Sequence, residues 1–174
     1  MKVICISGKA MSGKDTAANY FKNKLEESGK RVLITHYADL LKYICKTFFG
    51  WDGRKDEKGR RLLQYIGTDV VREQNPNYWV DFLMNILNMF QYNWDYVLIP
   101  DCRFPNEITR LKRNGFNTAS VKIIRDDFDN GLTETQKSHE SETSMDNFDF
   151  DFVIHNKGLN EYYEHLDILS VLLK

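Results

Sequence analysis

"VICISGKAMSGKDT", residues 3–16, joins an uninterrupted apolar run to a glycine-rich turn and a lysine. The run VICIS suits a strand buried on both faces. The residues after it come close to GxxxxGK[ST], the loop whose backbone N–H groups cradle nucleotide phosphates. Gly8, Gly13 and Lys14 stand at the required spacing, with Ser12 just before the second glycine. Asp15 occupies the place of the usual metal-binding hydroxyl, and Thr16 comes one step late.

The residue types fit the chemistry. Glycines let amides turn inward on an anion, and the next helix adds the positive end of its dipole. Lys14 would reach the β- and γ-phosphates. A carboxylate is a hard oxygen ligand for magnesium, as is a threonine hydroxyl, so Asp15 and Thr16 both remain open as metal contacts. The competing interpretation is an ordinary strand–turn–helix corner with a surface lysine. The strand before the loop and the helical pattern after it favour phosphate binding.

The chain has 174 residues, the size of one domain, and its 42% hydrophobic content can supply a core. A formal net charge of −1 offers no global basic field, which argues against a nucleic-acid partner. No apolar stretch approaches the roughly 20 residues of a membrane span, and the N-terminus lacks the pattern of a signal peptide. Three cysteines at 5, 45 and 102 show no CxxC spacing, so a zinc site or disulfide framework is not expected. A cytoplasmic protein is the expectation.

Outward from the loop, strand-like and helix-like patterns alternate. Strands are expected at 2–7, 31–36, 95–100, 118–124 and 150–156. Helices are expected at 15–28, 38–49, roughly 60–73, 77–91, 105–113, near 134–143, and in a closing amphipathic stretch. This is the pattern of an α/β fold, a five-stranded parallel sheet with helices on both faces. Right-handed crossovers then put the loops after every strand along one edge, where ligands collect.

Several polar residues fall on that edge. Asp101 ends the strand YVLIPD, where a metal-associated carboxylate belongs in phosphate-loop enzymes, although a helix cap or loop aspartate is common there. Arg103 and Arg125 come just after the third and fourth strands, and their guanidinium forks suit phosphate oxygens. Asp39, Lys42, Arg61, Gln64 and Arg72 lie in the helical region after the second strand and are candidates for a second nucleotide. Trp79 offers a ring for stacking, although an aromatic in an apolar helical stripe is more often core. The segment SHESE, 138–142, lies in a long polar stretch that reads as a solvated helix or a mobile lid.

Taken together, SGKAMSGKDT, YADLLK (37–42), LLQYIGTDVVRE (62–73), YWVD (78–81), DCRFPNEI (101–108), SHESE and FDFVIHNKG (150–158) resemble bacteriophage-type deoxynucleoside monophosphate kinases. In that family the Asp-Thr ending of the loop is usual. The resemblance implies a single three-layer P-loop kinase domain over 1–174, with an NMP-binding helical segment at about 38–92 and a lid at about 126–149. It implies ATP at Gly8, Ser12, Gly13, Lys14, Asp15 and Thr16, with adenine near Asn156 and Gly158. It places the acceptor against Asp39, Lys42, Gln64, Arg72, Trp79, Arg103 and Glu107. Lys14, Arg103, Arg125 and Asp101 would serve catalysis, and Asp15, Thr16 and Asp101 the magnesium ion. The implied reaction is ATP-dependent phosphorylation of (deoxy)nucleoside 5′-monophosphates in the host cytoplasm.

Three rivals share the loop. A GTPase-type switch needs NKxD, and NKGL (156–159) has Leu159 where the aspartate belongs. A kinase of another phosphorylated metabolite, such as phosphomevalonate, fits the loop equally. The third is a non-catalytic nucleotide-binding module. Base preference, ribose against deoxyribose, and oligomeric state, a homodimer included, are left open by the sequence.

Overall fold

The computed structural model describes residues 1–126, 128–129 and 131–173. Five parallel strands form one sheet in the order β2-β3-β1-β4-β5. They are β1 (Lys2–Ser7), β2 (Val32–Ile34), β3 (Tyr96–Cys102), β4 (Asn117–Ile124) and β5 (Phe152–His155). β1 is central, with Val3 opposite Val97 of β3 and Thr118 of β4. The chain leaves β1 for one side of the sheet and later crosses to the other. The C-terminal end of β1 is therefore a topological switch point, the place where ligands settle in open parallel sheets.

Alternation along β1 builds two cores. Val3 and Cys5 point to one face, where they pack with Val97 and Ile99 beneath α2 (Ala38–Phe49), α4 (Tyr78–Met89) and α5 (Asn106–Arg113). Ile4 and Ile6 point to the other, against α1 (Lys14–Glu27) and α8 (Leu159–Leu172). Each side chain of this strand is fully buried from Val3 to Ile6, which is why the run reads as continuously apolar. The three cysteines are free and buried. Among the described residues no helix is long and apolar enough to cross a membrane.

One expected helix takes a different form. The stretch 60–73 divides into α3 (Glu57–Gln64) and a π-helix (Tyr65–Arg72). Gly67, within the wider turn, lies where a Cβ would stand 2.7 Å from Leu41, and its carbonyl receives the Trp79 indole N–H at 3.0 Å. The close approach to α2 and the side-chain donor on a carbonyl both accompany the altered turn; apolar periodicity carries neither signal. The expected helix near 134–143 is likewise two short ones, α6 (Glu134–Ser138) and α7 (Glu140–Thr143), separated at His139, whose backbone is extended. Of the expected lid at 126–149, Asp127 and Asn130 lie outside the described residues.

Candidate active site

The phosphate loop sits between β1 and α1, and its carbonyls are held by side chains from elsewhere. Asn156 Nδ2 donates to the Ser12 carbonyl at 2.9 Å, and Tyr162 Oη donates to that of Gly13 at 2.9 Å. Arg125 Nη1 donates to the Met11 carbonyl at 3.3 Å, and Lys14 Nζ to that of Lys9 at 2.6 Å. With the carbonyls engaged, the amides are left over. Among the described residues those of Lys9, Ala10, Met11 and Gly13 have no acceptor. The first turn of α1 adds the unpaired amides that every helix start carries. The Ser12 hydroxyl is also buried without a partner. A row of free donors at a helix start, with a buried hydroxyl lacking an acceptor, fits a phosphate group.

The glycines are needed for this geometry. Gly13 has φ 106°, and a Cβ there would lie 2.8 Å from Asn156 Nδ2. Gly8 would place a Cβ 2.3 Å from the Ile123 carbonyl. Gly158 differs, because its backbone is extended and open space lies where a Cβ would be. It lines the cleft without being demanded by sterics. That cleft, about 560 Å³, runs from Lys14 and Thr16 past Arg125 and Phe128 to Asn156 and Gly158. The Arg125 guanidinium lies 3.6 Å from the centre of the Phe128 ring.

Lys14 is 8% exposed. Burial, with the Arg103 charge nearby, lowers its pKa to about 8, while Glu142, Asp15 and Asp101 pull the other way. Asp15 is exposed, with His36 Nε2 at 3.8 Å, and that imidazole holds its carboxyl below the usual range. Thr16 is exposed in the first turn of α1. Both therefore offer oxygen atoms to solvent at the start of α1, the donor chemistry a hard cation takes. Among the described residues no three His, Cys, Asp or Glu side chains converge on a metal position.

Asp101 is placed differently. Its two oxygens accept from the Tyr37 and Ala38 amides, each at 3.0 Å, so it anchors the start of α2 at the sheet edge. Asp39 and Lys42 pair with each other at 3.0 Å, and Asp39 also accepts from the His36 amide. Gln64 is half-buried at the end of α3.

Two of the residues expected on the acceptor side are engaged within the protein itself. Trp79 is 3% exposed with its N–H bound to Gly67, so its ring belongs to the core and offers no stacking face. Glu107 is 1% exposed; it accepts from the amides of Arg103 and Phe104 and pairs with Arg72, so it braces the turn after β3. Burial raises its carboxyl to about 7 against the pull of Arg72 and the two amides. Arg72 also stacks 3.9 Å above the Phe104 ring, within the same brace.

Arg103 reaches the chamber beside the loop. Its Nη1 pairs with Glu142 and lies 3.4 Å from the Ser141 carbonyl. This second space, about 230 Å³, lies among Gly8, Lys9, Arg103, Arg125 and Glu142. The structure thus brings Lys14, Arg103, Arg125 and the loop to one edge. Tyr162, His36, Lys9 and Glu142 also belong to the site, and the sequence singles out none of them individually. Tyr162 sits in an amphipathic helix and carries no local signal; the position of His36 just after β2 is the signal that could have found it.

A family model described as Deoxynucleotide monophosphate kinase matches residues 44–166. The match begins after the phosphate loop, which stands on its own geometry. A protein of Acanthamoeba polyphaga mimivirus is 28% identical, with 95% of this chain and 94% of that protein aligned. The deoxynucleotide monophosphate kinase of Enterobacteria phage T4 is 30% identical over 65% of this chain, but only 46% of the phage protein is covered. Two solved structures share the fold. Mycobacterium tuberculosis APS kinase has a TM-score of 0.55 at 10% identity, covering 99% of this chain and 98% of its own. Shikimate kinase from Bacteroides thetaiotaomicron has a TM-score of 0.53 at 12% identity, with the same coverage of both chains. With the matched segment spanning most of the chain, and its turn after β3 and its α7 strap abutting the phosphate loop, the chain belongs to the deoxynucleotide monophosphate kinase family.

Proposed function

We propose that the protein transfers the γ-phosphoryl group of ATP to the 5′-phosphate of a deoxynucleoside monophosphate. The observation that carries the reading is the phosphate loop: among the described residues four of its amides have no acceptor and the buried Ser12 hydroxyl no partner, and the buried Lys14 feels the charge of Arg103. The family supports a nucleotide as acceptor.

ATP lies with its phosphates on residues 8–16 and its base toward Asn156 and Gly158. Lys14 and the loop amides hold the donor phosphates in line. Arg103 and Arg125 face them from the ends of β3 and β4 and neutralise charge on the transferring group. The acceptor phosphate is a dianion near neutral pH, so alignment and charge neutralisation suffice without a strong base. Magnesium, when bound with the nucleotide, supplies further neutralisation of the β- and γ-oxygens, and Thr16 and Asp15 are the residues placed to hold it. Segments α6 and α7 shelter the chamber from water, which limits ATP hydrolysis.

The test is a transfer assay of ATP with magnesium against each dNMP and NMP, with Lys14→Met as control. The expected result is diphosphate formation from at least one deoxynucleotide, reduced about 10²–10³-fold by Lys14→Met. Transfer at a near-normal rate in that variant would remove the loop from the mechanism. ADP release with no phosphorylated acceptor would remove the kinase assignment.

A further inference from the structure

Glu142 of α7 is the most deeply buried acidic group in the chamber that the proposed mechanism leaves without a task. Its side chain is 9% exposed; Oε1 accepts from Arg103 Nη1, and Oε2 has no donor among the described residues. The segment carrying it is tied down on three sides. Lys9 of the phosphate loop donates to the Glu142 carbonyl and pairs with Asp146 at 2.5 Å. Lys122 Nζ, on β4, donates to the Asp146 carbonyl at 3.1 Å. His139 Nε2 lies 3.5 Å from Asp69 of the π-helix. This is a strap between donor side and acceptor arm.

Two roles are open to a carboxylate on an arginine. It occludes the guanidinium from phosphate, or it holds the guanidinium in place for phosphate. A bidentate pairing would take two donors of the guanidinium fork away from phosphate. Here a single oxygen meets a single nitrogen, and Nε and Nη2 of Arg103 have no acceptor among the described residues. The donors suited to a phosphate are left over.

Building on the kinase reading, we propose that Glu142 is a positioning residue for phosphoryl transfer. It fixes Nη1 of Arg103 so that the remaining donors face the chamber, while its charge balances that of the guanidinium it pairs with.

The experiment compares wild type, Glu142→Gln, Glu142→Ala, Arg103→Ala and the Glu142→Ala/Arg103→Ala double variant. Steady-state kinetics is paired with calorimetric ATP binding under the same conditions. Glu142→Ala should lower kcat about 10–100-fold with the KM for ATP changed less than about threefold, since orientation is lost and ground-state binding is not. In the Arg103→Ala background the same change should cost less than about twofold. Glu142→Gln retains a hydrogen-bond acceptor but no charge, so its rate loss should be smaller. Its KM for ATP should stay within about threefold of the wild type, as in the alanine variant. Gln preserves volume and therefore folding; if Glu142→Ala does not fold, the Gln variant decides alone.

Unchanged kcat in Glu142→Gln would overturn the proposal, as would faster turnover or tighter ATP binding. No dNMP phosphorylated by the wild type overturns the kinase reading and this role with it; dNMP phosphorylated equally fast by wild type and Glu142→Gln keeps the kinase reading and overturns the role of Glu142.

Discussion

The phosphate loop and the acceptor-side arm are both rich in polar groups, but they use them in opposite ways. In the loop the carbonyls are engaged by Asn156, Tyr162, Arg125 and Lys14, and the amides of Lys9, Ala10, Met11 and Gly13 have no acceptor among the described residues. In the arm and the turn below it, charges meet charges: Arg72 with Glu107, Arg110 with Asp81, Lys42 with Asp39. Asp101 is taken by two amides of α2. The loop is organised toward an anion. The arm is organised toward itself, so its charges report on folding before they report on substrate.

The largest effect that separates the two regions is at Arg72. Its side chain is 10% exposed and its partner Glu107 1% exposed. Arg72→Met should cost about 3–5 kcal/mol at pH 8, because it strands a buried carboxylate. Glu107 is raised above its unfolded value to about 7, so its protonated form is favoured by folding. Its contribution to stability is present below about pH 4.5 and is lost as the pH rises through about 7. The cost of Arg72→Met should therefore shrink at pH 5, where Glu107 is neutral. Urea unfolding at the two pH values measures this; equal costs would mean that Arg72 is held for something other than Glu107.

A smaller effect is expected at Gly13. Alanine there meets Asn156 Nδ2 and strains a backbone at φ 106°, at about 1–3 kcal/mol. ATP affinity should fall about tenfold, since a displaced loop misaims its amides by an amount worth about 1.4 kcal/mol. Unaltered ATP binding by calorimetry would show that the latch through Asn156 does not set the loop. The smallest effect is at Trp79. Trp79→Phe removes the hydrogen bond to Gly67 and should cost about 1 kcal/mol in a thermal melt, with the acceptor KM unchanged. A raised acceptor KM would return that ring to the site.

The same contrast explains what the sequence disclosed. Backbone chemistry is written locally: VICIS, two glycines and Lys14 foretold a strand, a turn and a helix start, and all five strands fall close to their expected places. The places of Arg103 and Arg125 at the sheet edge were legible because a parallel sheet aligns the ends of its strands. The partners of side chains are written nowhere nearby. Arg72 and Glu107 are 35 residues apart, Lys9 and Asp146 are 137 apart, and Tyr162 reaches Gly13 across 149. Trp79 looked available because an apolar stripe does not reveal that a π-turn carbonyl has claimed its N–H. The helix expected over 60–73 is present, but its second half is a π-helix, whose wider turn goes with a close approach of Gly67 to α2 that apolar periodicity does not reveal.

The proposed chemistry turns on a buried Lys14 that awaits a phosphate. Its pKa of about 8 in the free protein should rise when an anion arrives, so ATP binding at pH 8 should take up about half a proton from solvent. Calorimetry of ATP binding in two buffers of different ionisation enthalpy reads that number directly. The expected outcome is a buffer-dependent enthalpy in the wild type that vanishes in Lys14→Met; ATP binding with no buffer dependence, or the same dependence in both proteins, would show that Lys14 does not meet the phosphates.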